Sequence, residues 1–218
     1  MPKVDLQPQR EQAARLAAEH LSAGDPRMGA LIARVGPHRP IITRDPFAAL
    51  AGAITQQQVS MSAARSMQRK LKAMCPRGRL TPAAISALDL RKLRSAGLSR
   101  QKALYMRGLA EAFAARTLTP RKLRGMTDEA VIEATTAVKG IGRWTAEMLL
   151  IFCLERPDVW PVDDLGLRKA MQRYHGLPEM PKAREIADAG DLWRPYRSYA
   201  TWYLWRSLEG PLMPGIAV

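Results

Sequence analysis

Residues 127–154 read TDEAVIEATTAVKGIGRWTAEMLLIFCL, and the fold turns on this stretch. Thr127 offers a hydroxyl that can cap free amides, and Asp128 and Glu129 place negative charge at the positive end of a helix dipole. A strongly apolar helix is expected again from about residue 144 to 154. Between the two lies Lys139-Gly140-Ile141-Gly142, so the natural reading is a helix-hairpin-helix over residues 128–154. Glycines at such a turn permit positive φ and remove side chains. Amides at the start of the second helix can then approach a phosphate directly, helped by the dipole. A contact of that kind holds DNA without reading its sequence. By itself, Gly-x-Gly between helices is also what an ordinary tight turn looks like.

Working outward, every neighbouring segment carries helical spacing and helical punctuation. Toward the N-terminus, helices are expected at residues 120–124, 100–115, 89–96 and 82–86, each preceded by a capping or breaking residue. Ser60 caps another whose buried stripe is Ala64, Met67, Leu71 and Met74, with Arg65, Arg69, Lys70 and Lys72 on the wet side. Asp45-Pro46 reads as an N-cap with proline at the first helical position, and the run Thr55-Gln56-Gln57-Gln58-Val59 interrupts the helix it launches. A first amphipathic helix spans residues 7–23 and a shorter segment reaches Val35 before the breaker Gly36-Pro37. On the C-terminal side, helices are expected to begin near Asp164, Pro181 and Arg197. Alternation of apolar and polar residues is nearly absent, so the fold class is all-α.

Composition narrows the function. The chain has 218 residues, 47% of them hydrophobic, enough for a core in one domain or two closely packed subdomains. Its net charge of +14 attracts polyanions, which points to nucleic acid, although a bias toward arginine and alanine can also come from genome composition. Cys75 and Cys153 are far apart and in no metal-ligand spacing, and His20, His38 and His175 form no metal motif either. Neither a disulfide framework nor a metal held by side chains is expected, and no cofactor. The N-terminal stretch has charges throughout, and nothing approaches the roughly 18 apolar residues of a membrane span. A cytoplasmic, nucleoid-associated protein that avoids membranes is the expectation.

Twenty-two residues past Gly142 stands Asp164, in Val162-Asp163-Asp164-Leu165-Gly166-Leu167-Arg168, at an expected helix start. A carboxylate there is first of all an N-cap. The same position suits chemistry, because the dipole favours negative charge that can stabilise a cation forming nearby.

Hairpin VKGIGRWTA followed by VDDLGLRKA resembles the signature of the helix-hairpin-helix (HhH-GPD) base-excision DNA glycosylases. Within that superfamily the chain is similar to the 3-methyladenine DNA glycosylase II, or AlkA, type: GIGRWTA and RPYRSYATWYLW both match, as do AGAITQQQVSMSAA and GLSRQKALYMRGLA. The similarity covers roughly residues 45–208, with the four segments in order. It implies a monofunctional enzyme that flips alkylated purines such as 3-methyladenine and 7-methylguanine out of duplex DNA and hydrolyses their glycosidic bonds. Asp164 takes the place of the family's catalytic aspartate, and Asp163 a capping or positioning place. Gly140, Gly142 and Thr145 would offer backbone amides to a phosphate. Trp144, Trp205 and Met148 fall where the base pocket is lined, with Met148 standing where an aromatic would close it. The loop bearing Gln57 and Gln58 matches the one that fills the gap left by a flipped base, here with glutamines in place of an apolar wedge. Trp202, three residues from Trp205, reads as core. Bifunctional members carry a lysine where this chain has Trp144, and an indole cannot form a Schiff base. The hairpin of the family can also hold an alkali ion through backbone carbonyls.

The resemblance further implies two helical subdomains with a DNA-binding cleft between them: residues 45–164 form the central one, and residues 1–44 pack with residues 165–218 in the other. The chain is too short for the extra N-terminal α/β domain of longer relatives. A monomer acting on double-stranded DNA is expected. The alternative is a non-catalytic helix-hairpin-helix protein that recognises damaged DNA and leaves every glycosidic bond intact.

Overall fold

The computed structural model describes residues 6–209, the side chain of Met61 excepted. Among them every regular element is helical. In chain order these are α1 (Gln7–Gly24), α2 (Pro26–Val35), α3 (Pro46–Gln56), α4 (Met61–Ala73), α5 (Pro82–Ser86), α6 (Leu90–Ser95) and α7 (Arg100–Ala114). There follow α8 (Pro120–Gly125), α9 (Asp128–Thr136), α10 (Arg143–Phe152), α11 (Leu165–His175), α12 (Ala183–Ile186) and α13 (Arg197–Leu208). The starts lie where short polar side chains can accept exposed amides. Asp45 accepts from Phe47 and Ala48 at 2.9 and 3.4 Å, Ser60 from Ala63 at 3.2 Å, and Thr127 from Ala130 at 3.4 Å. Each such cap contributes about 1 kcal/mol.

The expected helix near Pro181 is a single turn, α12, followed by a 3-10 stretch, Asp188–Trp193. The cause is tertiary. A Cβ on Gly190 would stand 2.6 Å from the ring of Trp160, whose indole Nε1 donates to the Ile186 carbonyl at 2.9 Å, so the chain is moulded around that ring.

The chain divides into two compact units. One is continuous, residues 42–155. Its axis is α7, which packs against α3, α5 and α6, while α10 packs against α9 and α3. Phe47, Leu50, Ile54, Leu71, Ile85, Leu93, Met106 and Leu109 are fully buried there, and Phe47 meets Phe113 edge to face at 5.3 Å. On α4 the stripe Ala64, Met67 and Leu71 is buried and Arg65, Arg69, Lys70 and Lys72 are exposed, as amphipathic spacing requires.

The other unit is discontinuous, with described residues 6–41 and 156–209. Leu21, Met28, Leu31, Leu167, Met171, Trp193, Tyr203 and Leu204 form its core, joining α1 and α2 to α11 and α13. Residues 156–164 belong to this unit because they run as a strap along α13. Ser198 Oγ donates to the Arg156 carbonyl and accepts the Val159 amide, and Arg197 Nε donates to Asp158 at 2.8 Å.

Candidate functional site

The hairpin lies in the continuous unit. Gly140 has φ +90°, a conformation costly for any residue with a Cβ. Its second constraint is packing, since a Cβ there would fall 2.1 Å from the Tyr105 ring. Gly142 differs: its φ is −93° and no atom lies within 4 Å of an added Cβ, so neither backbone nor packing demands glycine. It is also the N-cap of α10 and has no side chain with which to cap. The first amides of α10 have no acceptor within their own helix, and the open space beside Gly142 exposes them to a ligand. Thr145, in the first turn of α10, is buried.

Arg143 ties the two hairpin helices together. Its Nη2 meets Glu129 at 2.7 Å and its Nε meets buried Glu147 at 3.2 Å. A cation in the first turn of a helix opposes the dipole, and these two carboxylates offset it. The hydrogen bond from Arg143 holds the Glu129 carboxyl below its ordinary range. On α10, Trp144 is 46% exposed and Met148 is half-buried.

The loop after α3 is bound to this hairpin. Gln57 Nε2 donates to the Gly140 carbonyl at 2.7 Å. Lys102 Nζ donates to the Thr55 carbonyl at 3.0 Å, and burial pushes that amine below its ordinary value. Thr55 itself is fully buried, its hydroxyl bonded to the Gly52 carbonyl and to Gln68. The Tyr105 hydroxyl accepts from Gln101 while its ring packs under Gly140. Gln58, by contrast, is exposed and left-handed, with φ +53°.

Asp164 lies in the discontinuous unit as the N-cap of α11. Its Oδ1 accepts two donors, the Leu167 amide at 2.5 Å and the Trp205 indole Nε1 at 2.7 Å. The cap is thus Asp164 itself, while Asp163 is exposed. Gly166 makes room for the arrangement: a Cβ there would stand 3.0 Å from the Asp164 oxygen and 3.1 Å from Trp205. Trp202 packs against the core of the unit and lies edge to face with His38 at 4.7 Å. Burial takes His38 down to about 4, so it is neutral at ordinary pH.

The expected residues therefore fall into two groups. Gly140, Gly142, Thr145, Trp144, Met148, Gln57 and Gln58 gather around the hairpin, and Asp164 is joined to Trp205. Sequence reasoning missed Lys102, Tyr105, Arg143 and Glu147 as supports. Tyr105 and Lys102 sit three apart on α7, inside a segment already singled out, but no local pattern says which distant loop they reach. Among the described residues no three His, Cys, Asp or Glu side chains converge on a metal site, and no helix is long and apolar enough to cross a membrane.

Comparison with known proteins fits this arrangement. The chain is 34% identical to DNA-3-methyladenine glycosylase 1 of Schizosaccharomyces pombe over 211 residues, 94% of this chain and 92% of that protein. A solved structure described as the 3-methyladenine DNA glycosylase of that yeast in complex with abasic DNA superposes with a TM-score of 0.81, covering 90% of this chain and 98% of that one. A DNA-3-methyladenine glycosidase from Bacillus halodurans also gives 0.81, at 31% identity over 88% of each chain. The sequence profile described as HhH-GPD superfamily base excision DNA repair protein matches residues 51–195. With an all-helical fold, the hairpin and a relative matched along nearly its whole length, the chain belongs to the HhH-GPD superfamily of base excision DNA repair proteins.

Proposed function

We propose that this protein is a monofunctional DNA glycosylase that releases alkylated purines from duplex DNA by hydrolysis, with Asp164 as its catalytic carboxylate. The observation that carries the reading is the double grip on Asp164 Oδ1 by the Leu167 amide and the Trp205 indole. A carboxylate held in one orientation, with an aromatic ring against it, is preorganised to stabilise positive charge. An alkylated ring nitrogen makes the purine cationic, so it leaves readily. The C1′–N bond breaks, the base departs with the electron pair, and the sugar becomes oxocarbenium-like. Asp164 stabilises that cation and orients the attacking water, which adds to C1′ and passes its proton to the Asp164 carboxylate. The base must leave the stack first, and weakened pairing at a lesion lowers the cost. Trp205, beside Asp164, supplies an aromatic face for a cationic base, worth about 0.5 to 2 kcal/mol. Trp144 stands where a lysine would be required for a Schiff base, so strand cleavage is not expected. The amides beside Gly140 and Gly142 and at Thr145 hold a phosphate, and Gln58 enters the gap left by the base. One chain suffices for this work on one base.

The test is base release from duplex DNA methylated by a simple alkylating agent, comparing wild type with Asp164→Asn. Asparagine caps a helix as well as aspartate and keeps an oxygen for both donors, so the fold is expected to survive. Release of methylpurines by wild type, reduced at least about a hundredfold in the variant, supports the assignment. Activity retained in Asp164→Asn would move the chemistry to another residue. Lesion binding without any release would make the protein a damage-recognition module.

A further inference from the structure

We propose that Gln57 is a positioning residue that locks the hairpin to the neighbouring loop, so that the grip on a phosphate and the wedge at Gln58 act as one rigid piece. The inference rests on the reading of the protein as a base-flipping glycosylase.

The loop between α3 and α4 is held at both ends and at Gln57. At one end Thr55 is fully buried, and its carbonyl is held by Lys102 at 3.0 Å. At the other end Ser60 is committed to capping α4 through the Ala63 amide. Between them Gln57 spends its side-chain N–H on the Gly140 carbonyl, 83 positions along the chain, at 2.7 Å. The Gly140 peptide is itself immobilised, since Tyr105 fills the space that a Cβ would need. Gln58 then projects from a left-handed backbone into solvent.

A side chain that enters a base stack works against an unstacking cost of a few kcal/mol per step. On a loose loop it would be pushed aside rather than displace the base. The Gln57 hydrogen bond gives the tip a rigid support, and that support is the turn that would hold the backbone of the same DNA. Two adjacent glutamines that look interchangeable in sequence thereby take different tasks: Gln58 is the wedge, and Gln57 commits its side-chain amide to the Gly140 carbonyl.

The experiment is a double-mutant cycle on single-turnover base release from methylated duplex at saturating protein, with wild type, Gln57→Met, Gln58→Ala and the double variant. Methionine matches glutamine in length and cannot donate. Gln57→Met is expected to slow release about fivefold, the size of one hydrogen bond. Because Gln57 acts through Gln58, the double variant should be no slower than Gln58→Ala alone. Each variant should still unfold cooperatively within a few degrees of wild type, which a general loss of structure would not allow. Gln57→Lys keeps a donor in reach of the carbonyl and should recover most of the lost rate. Multiplying losses in the double variant, or an unchanged rate in Gln57→Met, would overturn the coupling while leaving the glycosylase reading intact. No base release by wild type would remove that reading, and this inference with it.

Discussion

Asp25 shows how much one side chain can hold. It is 8% exposed and caps α2 through Oδ1, which accepts the Arg27 and Met28 amides at 3.0 and 3.3 Å. Its Oδ2 accepts the Tyr174 hydroxyl at 2.7 Å and the Trp193 indole at 3.1 Å. Burial pushes its carboxyl up, yet the four donors together outweigh burial and bring it below its ordinary value. A depressed value in the native state means that the unfolded chain binds the proton more readily. Its contribution is therefore present above about pH 4 and is lost as pH falls through the unfolded value toward the native one. Asp25→Ala is expected to cost about 3 kcal/mol at pH 7, since it removes a cap and leaves a buried indole N–H without its acceptor. Urea unfolding at pH 7 and pH 3 checks this, and the gap between variant and wild type should narrow at the lower pH. An equal gap at both would show that the ionised form is not what the four donors hold. The end of the first helix near residue 23 was legible in the sequence. That Tyr174 and Trp193 converge on Asp25 was not, because both lie about 150 or more residues along the chain.

At the scale of elements, the hairpin separates two glycines that the sequence presents alike. Gly140→Ala must take a left-handed φ with a Cβ and displace the Tyr105 ring, so it should lose about 2 kcal/mol or more of stability and weaken DNA binding as well. Gly142→Ala meets no neighbour and keeps an ordinary φ, so stability should change by less than about 1 kcal/mol. Its methyl would nonetheless stand beside the amides offered to a phosphate, and duplex affinity is expected to fall about tenfold. Thermal unfolding paired with fluorescence anisotropy on undamaged duplex separates the two cases. Unchanged affinity in Gly142→Ala would argue against a phosphate at the start of α10. The helices themselves were readable to within one or two residues where a cap and an apolar stripe coincide, as in α3, α4 and α9. They were least readable at α12, where the shape of the chain answers to the Trp160 ring and not to local spacing.

For the molecule as a whole, a net charge of +14 is a prediction about salt. If the field serves duplex DNA, log affinity should fall linearly with log salt, with a slope near −0.9 for each phosphate neutralised. With about six to ten such contacts, affinity for undamaged duplex should drop by about 10³ to 10⁵ between about 50 and 200 mM salt. Titrations at four salt concentrations give the slope. A nearly flat line would mean that the basic surface, including exposed Arg65, Arg69, Lys70 and Lys72, is not turned toward DNA.

The sequence alone determined the helical class, the helix starts at Asp45, Ser60 and Thr127, the hairpin with its two glycines, and the family, because caps, breaks and apolar periodicity are written within a few residues of where they act. Only the tertiary structure decided that Gln57 reaches the Gly140 carbonyl, that Tyr105 rather than φ alone requires Gly140, that residues 156–164 run along α13, and that Trp205 holds Asp164. Each of these joins residues tens of positions apart. Which distant donor meets which acceptor is set by how whole helices pack, and a short window of sequence contains no record of that.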